Sequence, residues 1–228
     1  WQAANNLPAV SLRDYDEGQQ AIANAFHWFD GEIADATLLN NWEVQTPLWF
    51  EEYVHGRIPP NTTPVFISTA GANPWLEGVF AHLPGGPVFT HAYRPEILAG
   101  TEFRLRPRGP YYQVAEPGDA SLPPELTVVS ARAEAIEIVG VALPQTAVTA
   151  GDYVPLTLAM TTPTGTADFY VPSVRVGDSD YTFTTDSHLI TPRWVPGEII
   201  VERFDFALPH DLPPGDYPVS VDLKNLST

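Results

Sequence analysis

Residues 37–56 read TLLNNWEVQTPLWFEEYVHG, and residues 63–83 read TPVFISTAGANPWLEGVFAHL. Each stretch is an apolar β-type run, then a short polar loop, then a Thr-Pro or Asn-Pro pair that opens an amphipathic helix. The two prolines, Pro47 and Pro74, are 27 residues apart. Because Pro is favoured at the first helical position after a Thr or Asn cap, the pairs predict two helix starts. Two successive strand–helix units predict a parallel sheet with crossover helices.

The rest of the first 118 residues fits the same pattern. A helix is predicted from Asp14 to Gly31, with four apolar residues on one face: Ile22, Ala25, Phe26 and Phe29. Strands are predicted at 36–40, 64–69, 87–92, 102–106 and 111–115. Helices are predicted at 47–55 and 74–83, with a helical turn at 94–96. We therefore expect a three-layer, Rossmann-like α/β domain with a mostly parallel sheet over residues 1–118.

A second domain is predicted over residues 125–228. The linker before it, EPGDASLPP, contains Pro and Gly, and long helical periodicity disappears after it. Seven short β-rich runs follow, at 126–131, 135–142, 153–161, 169–176, 181–185, 199–208 and 217–223. Gly- and Asp-containing turns separate them, which is typical of an antiparallel β-sandwich of immunoglobulin-like type.

Composition and charge limit the partners. The chain has 228 residues and a formal net charge of −17, so we expect repulsion from nucleic acid and from anionic membrane surfaces. It has no Cys, which excludes disulfides and zinc–thiolate sites. No apolar run is long enough to span a bilayer. Because the sequence begins at Trp1 without Met, we expect a processed chain or a fragment of a longer protein.

Polar side chains collect where the predicted parallel strands end. In open α/β sheets, ligands bind beyond the carboxyl ends of the strands. The candidate ligand-binding residues there are Asn40, Asn41, Trp42, Glu43, Ser68, Thr69, Asn73, His91 and Arg94. An indole can stack on a sugar face while amides bind its hydroxyls, and helix N–H groups can bind an anion. Glu43 and His91 are the only plausible acid–base pair in the set.

A structural interpretation of these residues stays open. The Asn and Thr side chains are also the expected helix caps, Trp42 and Trp75 can cover the edge of the core, and Arg94 can pair with Glu96. Neither a GxGxxG nor a GxxxxGK[ST] loop occurs, and there is no G-x-S-x-G motif. No cofactor is therefore predicted.

Three acidic residues in the second domain are weak metal candidates. Asp178, Asp180 and Asp186 have the alternate spacing of part of a calcium loop. The Gly and terminal Glu positions of such a loop are missing, so a solvated hairpin turn is the favoured interpretation and no metal site is predicted.

Two groups of motifs carry a family resemblance. The segment ATLLNNWEVQTPLWFEEYVHGRIPPNTTPVFIS resembles the soluble region that follows the membrane spans in bacterial protein-mannosyltransferase-like glycosyltransferases. The matching residues are Asn41, Trp42, Glu43, Thr46, Pro47, Leu48, Trp49, Gly56 and Arg57. Phe50 stands where the family pattern has Tyr, and PPNTT at 59–63 replaces the usual Asp-Val. The second domain resembles β-sandwich modules appended to such proteins, through Gly151-Asp152, Trp194–Glu198 and Leu212–Tyr217.

In that family, sugar transfer belongs to the membrane part. The resemblance therefore implies a non-catalytic region on the extracytoplasmic face of the cell membrane, attached through a segment outside this chain. Its expected partner is a glycan or a cell-envelope component, and nucleic acid is not expected. The alternative is a small α/β hydrolase or transferase that acts on a sugar or sugar phosphate at the strand ends.

Overall fold

The computed structural model describes residues 22–23, 25–27, 29, 35–143, 147–182 and 190–227. These residues form two compact units. The first contains the described residues up to Ile97 together with Gly109–Val114, and the second contains Leu98–Arg108 and the described residues from Ala115 onward. None of the helices in the described ranges is long and apolar enough to cross a membrane.

The elements follow the chain in this order up to residue 115: β1 (Ala36–Asn40), α1 (Trp42–His55), β2 (Thr62–Phe66), α2 (Pro74–His82), β3 (Val88–Thr90), α3 (Pro95–Leu98), β4 (Arg104–Arg108) and β5 (Tyr111–Ala115). The remaining strands are β6 (Thr127–Ala133), β7 (Ile136–Ala142), β8 (Tyr153–Thr161), β9 (Tyr170–Val176), β10 (Ser179–Thr182), β11 (Ile200–Ala207) and β12 (Val219–Asn225). The fold is thus mixed α/β followed by an all-β part, as the sequence predicts.

The first unit is organised around β1. Strands β2 and β3 both pair with β1 in parallel, and β5 pairs with β3 in antiparallel orientation, which makes the sheet mixed. All five residues of β1 are buried, as expected for a central strand covered on both faces. The two parallel pairs confirm the crossover arrangement that the repeated strand–helix pattern predicts.

Apolar side chains cover both faces of β1. Leu38 lies in a buried cluster that also contains Ala25, Phe29, Phe89 and Tyr111. Successive strand residues point to opposite faces, so Leu39 faces the other way. There, a Cβ built on Gly78 of α2 would lie 3.4 Å from Leu39 Cδ1. Burial of Ala25 and Phe29 agrees with the predicted apolar face of the first helix, whose predicted start at Asp14 and end at Gly31 lie outside the described residues.

The predicted start of α1 is wrong. The helix begins at Trp42, and Pro47 lies inside it rather than at its first position. The true N-cap is Asn41, whose Oδ1 accepts a hydrogen bond from the Val44 N–H at 3.3 Å. This Asn side chain satisfies a first-turn donor, so the helix forms five residues earlier than the Thr-Pro pair suggests. In α2 the prediction is correct, because Asn73 caps the helix and Pro74 opens it.

The second unit contains two antiparallel sheets. Their strand orders are β10-β9-β12 and β11-β8-β7-β6. One cluster of buried side chains draws on both sheets, including Leu156 and Phe204 from one and Val174 from the other. The two sheets therefore bury one core between them, as a sandwich requires. The strands lie within a few residues of their predicted positions; part of the predicted run 181–185 lies outside the described residues.

Candidate functional site

The strand order places a topological switch point in the first unit. Strand β2 pairs with one edge of β1, and β3, the next strand in the chain, pairs with the other edge. Open α/β sheets bind ligands in the crevice that such a reversal leaves at the carboxyl ends of the two strands. Here the crevice lies between the residues that follow Asn40 and those that follow Thr90. His91 joins the two edges, since its backbone N–H donates to the Leu39 carbonyl at 3.3 Å.

Asn40 belongs to the core rather than to the crevice. It is fully buried, and its Nδ2 donates to Gln45 Oε1 and to the Leu38 carbonyl, both at 3.1 Å. The Tyr111 hydroxyl donates to Asn40 Oδ1 at 3.3 Å, and burial raises the pKa of this hydroxyl. Asn40 therefore ties β1 to α1 and β5 with its own amide group.

The next three residues present polar and aromatic groups at the surface. Asn41 caps α1 and also donates from Nδ2 to Glu43 Oε2 at 2.9 Å, which orients the carboxylate. Glu43 lies in the first turn, where the helix dipole stabilises negative charge. The Trp42 indole is 61% exposed. It therefore does not cover the edge of the core, which was the alternative interpretation of this residue.

On the β3 side, His91 and Arg94 form a fixed pair. Arg94 Nη2 donates to His91 Nε2 at 3.0 Å, and the guanidinium lies 4.0 Å from the ring centre of Trp75. The Trp75 ring is buried and also contacts His91, at 5.6 Å between ring centres. Stacking and hydrogen bonding together hold the guanidinium in place.

Electrostatics keep His91 neutral. Its pKa is lowered to about 4, mainly because burial disfavours the imidazolium and also because Arg94 is positive. The Leu39 carbonyl and Glu43 oppose this shift. Burial also lowers the pKa of Arg94, while Glu96 and Glu43 act to raise it. Glu43, His91 and Arg94 therefore share one electrostatic environment, although the first is separated from the other two by about fifty residues of sequence.

The remaining predicted residues follow β2 and open α2. Ser68 and Thr69 are exposed, and Ser68 Oγ accepts from the Ala70 N–H at 3.2 Å in a local turn. Asn73 caps α2 and donates from Nδ2 to the Glu96 carbonyl at 2.7 Å. Arg94 reaches Glu96 only at 4.0 Å, so the expected ion pair is weak. The structure thus groups Glu43, His91 and Arg94, and leaves Ser68 and Thr69 on the far side of β1.

Sequence patterns do not reveal an aromatic cluster on the β2 side of β1. The rings of Trp42, Trp49 and Phe66 lie about 6 Å apart in edge-to-face or tilted arrangements: 6.0 Å for Trp42 to each of the other two, and 5.9 Å between Trp49 and Phe66. The seven-residue spacing of the two tryptophans is the only signal in the sequence, and it becomes informative only once α1 is known to begin at Trp42.

The second unit holds the other candidates. Asp180 Oδ1 accepts from Arg175 Nε at 2.8 Å across the β9–β10 pair, and Asp178 lies in the exposed turn between these strands. Asp186 lies outside the described residues. No group of three potential ligand side chains (His, Cys, Asp or Glu) gathers in the described ranges. A groove of about 820 Å³ lies between the sheets near Leu208 and Tyr217.

A buried ion pair explains the Trp194–Glu198 motif. Arg104 donates to both carboxylate oxygens of Glu198, at 2.8 and 3.2 Å, and both side chains are almost fully buried. Glu198 also accepts from the Val195 N–H at 3.1 Å. The Trp194–Glu198 motif is therefore a turn with a buried ring and a buried carboxylate. The partners Arg104 and Glu198 are 94 residues apart, which hides the pair from sequence patterns.

Comparison with known proteins adds no assignment. The sequence matches no family model, and no curated protein matches it.

Proposed function

We propose that this chain is a non-catalytic, extracytoplasmic region of a membrane glycosyltransferase-like protein, and that it binds glycan at the switch point of its first unit. The observation that carries the proposal is the position of Trp42. Its indole is exposed where β1 ends, next in sequence to the oriented carboxylate of Glu43. Exposed indoles next to a few convergent polar groups are suited to binding a sugar ring.

The electrostatics favour binding over catalysis. A histidine with a pKa of about 4 is neutral at neutral pH, and its Nε2 is already occupied by Arg94. It is therefore a poor general acid, since such a group has to hold a proton near the operating pH. Glu43 remains available as a hydrogen-bond acceptor for hydroxyl groups. The motif resemblance supplies the membrane glycosyltransferase context and the extracytoplasmic location.

The alternative is a hydrolase or transferase that acts on a sugar or sugar phosphate. The proximity of Glu43 to His91 and Arg94 favours it, because a guanidinium can hold a phosphate while a carboxylate accepts a proton. To test it, hydrolysis and transfer of sugar phosphates are measured for the wild type and Glu43→Gln. If the wild type and Glu43→Gln form product at the same trace level, this activity is excluded.

The binding proposal is tested with a panel of neutral oligosaccharides, followed by calorimetry. We expect Trp42→Ala to weaken binding at least about tenfold, because aromatic anchors carry much of the energy of such sites. Tyr153→Ala, which removes a similarly exposed ring from the second unit, is the matched control and should leave affinity unchanged. Absence of binding, or equal affinity for both variants, contradicts the proposal.

The family context of the proposal makes a separate prediction. The gene is expected to encode several membrane spans upstream of residue 1.

We also propose that the second unit is an immunoglobulin-like module. Tyr217 supports this assignment, because its hydroxyl donates to the Pro213 carbonyl at 2.7 Å. The tyrosine corner of such sandwiches is likewise a Tyr whose hydroxyl bonds to the backbone a few residues upstream. An experimental structure in which the strand connections lack a Greek key would refute it.

A further inference from the structure

The outward face of α1 carries several large apolar side chains. Only Gln45 and Leu48 of this helix are buried. Phe50 and Tyr53 are 56% and 77% exposed, and Val54 and Trp42 are exposed to a similar degree. Their spacing places Phe50, Tyr53 and Val54 on one side of the last two turns of the helix, two to three turns away from Trp42. We call Phe50, Tyr53 and Val54 the outer stripe.

The outer stripe exposes nearly as much apolar area as the largest patch of a typical monomer. Aromatic side chains offer roughly 200 Å² each, so the exposed parts of Phe50 and Tyr53 present about 270 Å², and Val54 adds to this area. Scattered apolar residues need no explanation, but a continuous patch of this size is often an interaction site. Trp and Tyr are also the residue types most enriched among those that dominate interface energies.

The acidic residues of α1 indicate which kind of partner binds the outer stripe. Glu43 lies about two turns before Phe50 on the same side of the helix, and Glu52 precedes Tyr53 in sequence. The 14 residues of α1 include three Glu and no Lys or Arg. A second copy of this chain would bring the same carboxylates together, and the net charge of −17 opposes self-association and anionic lipid. Lys and Arg side chains, in contrast, can pair with the carboxylates and lie over the aromatic rings.

We propose that the outer stripe of α1 docks a basic amphipathic helix of a partner protein. The apolar side of such a helix covers Phe50, Tyr53 and Val54, and its cationic flanks face Glu43 and Glu52. This proposal is independent of glycan binding, which we assign to the switch point. Tyr53 is three helical turns from Trp42, so the two surfaces can be altered separately.

The test uses the whole chain and a synthetic lysine–leucine helical peptide of about four turns, the length of α1. We expect binding that weakens with salt, a loss of at least about tenfold for Tyr53→Ser, and a change below about twofold for Tyr153→Ser. Tyr153 is the matched control because it is 72% exposed in the second unit. Phe50→Ser should reproduce the loss, which guards against a folding defect in one variant.

Three outcomes overturn the proposal. Equal losses for Tyr53→Ser and Tyr153→Ser would mean that the peptide is held by net charge alone. Self-association of the wild type that Tyr53→Ser abolishes would assign the stripe to a second copy, and Tyr53-dependent binding to phosphatidylcholine vesicles would assign it to lipid. Normal peptide binding by Trp42→Ala, with loss of oligosaccharide binding, would separate this surface from the glycan site.

Discussion

The partly buried imidazole of His91 makes the stability of the first unit depend on pH. Its pKa is about 4 in the folded protein, against 6.5 for an exposed histidine. At about 1.4 kcal/mol for each pKa unit, this difference corresponds to about 3 kcal/mol. Because part of the ring reaches solvent, we expect about 2 kcal/mol in practice. The depressed pKa means that the unfolded chain binds more protons between pH 4 and 6.5, so this stability is present above that window and is lost as pH falls through it.

The assay compares free energies of unfolding in urea at about pH 7 and about pH 4.5 for the wild type and His91→Gln. We expect the wild type to lose about 2 kcal/mol more than His91→Gln on acidification, because the amide does not titrate. His55→Gln, at the exposed end of α1, is the control and should behave like the wild type. An NMR titration that places the pKa of His91 above about 6 would refute the reasoning.

Two further substitutions test local structure. Asn41→Ala should lower the free energy of unfolding by about 1 kcal/mol through loss of the N-cap, whereas Thr46→Ala, inside α1 and exposed, should change it by less than about 0.5 kcal/mol. A larger loss of unfolding free energy for Thr46→Ala than for Asn41→Ala would instead support a helix start at the Thr-Pro pair. Glu198→Leu should cost about 3–5 kcal/mol because Arg104 is left buried without a counter-charge, and adding Arg104→Met should recover most of that loss. Urea denaturation checks both, and no recovery in the double variant would contradict the second.

Most strands and helices of this fold are predictable because the residues that define each one are neighbours in the sequence. Apolar runs predict the strands, and the Asn73-Pro74 pair predicts the start of α2. The start of α1 is mispredicted because two competing caps stand five residues apart in the chain, and Pro47 is the more conspicuous of the two signals. The helix therefore continues through Pro47, a residue that cannot donate an intrahelical hydrogen bond.

The site is less predictable than the fold because it depends on strand order. Knowing that β1 lies between β2 and β3 is what brings Glu43 to the same edge as His91 and Arg94. The sequence does provide these residues as candidates. It does not provide the stacking of Arg94 on Trp75 or the exposure of Trp42, because both depend on side-chain packing between segments distant in sequence.

The path of the chain constrains how this protein can be divided. Strand β4 lies in the segment Leu98–Arg108, which groups with the second unit, while Gly109–Val114 and the described residues up to Ile97 belong to the first. A fragment ending at residue 118 would keep Arg104 and remove its carboxylate partner, and the complementary fragment would keep Glu198 buried without a cation. Each half would therefore carry a desolvated charge that the intact chain neutralises. Proteolysis in the proline-containing linker should leave two pieces that stay associated or unfold, rather than two independent domains.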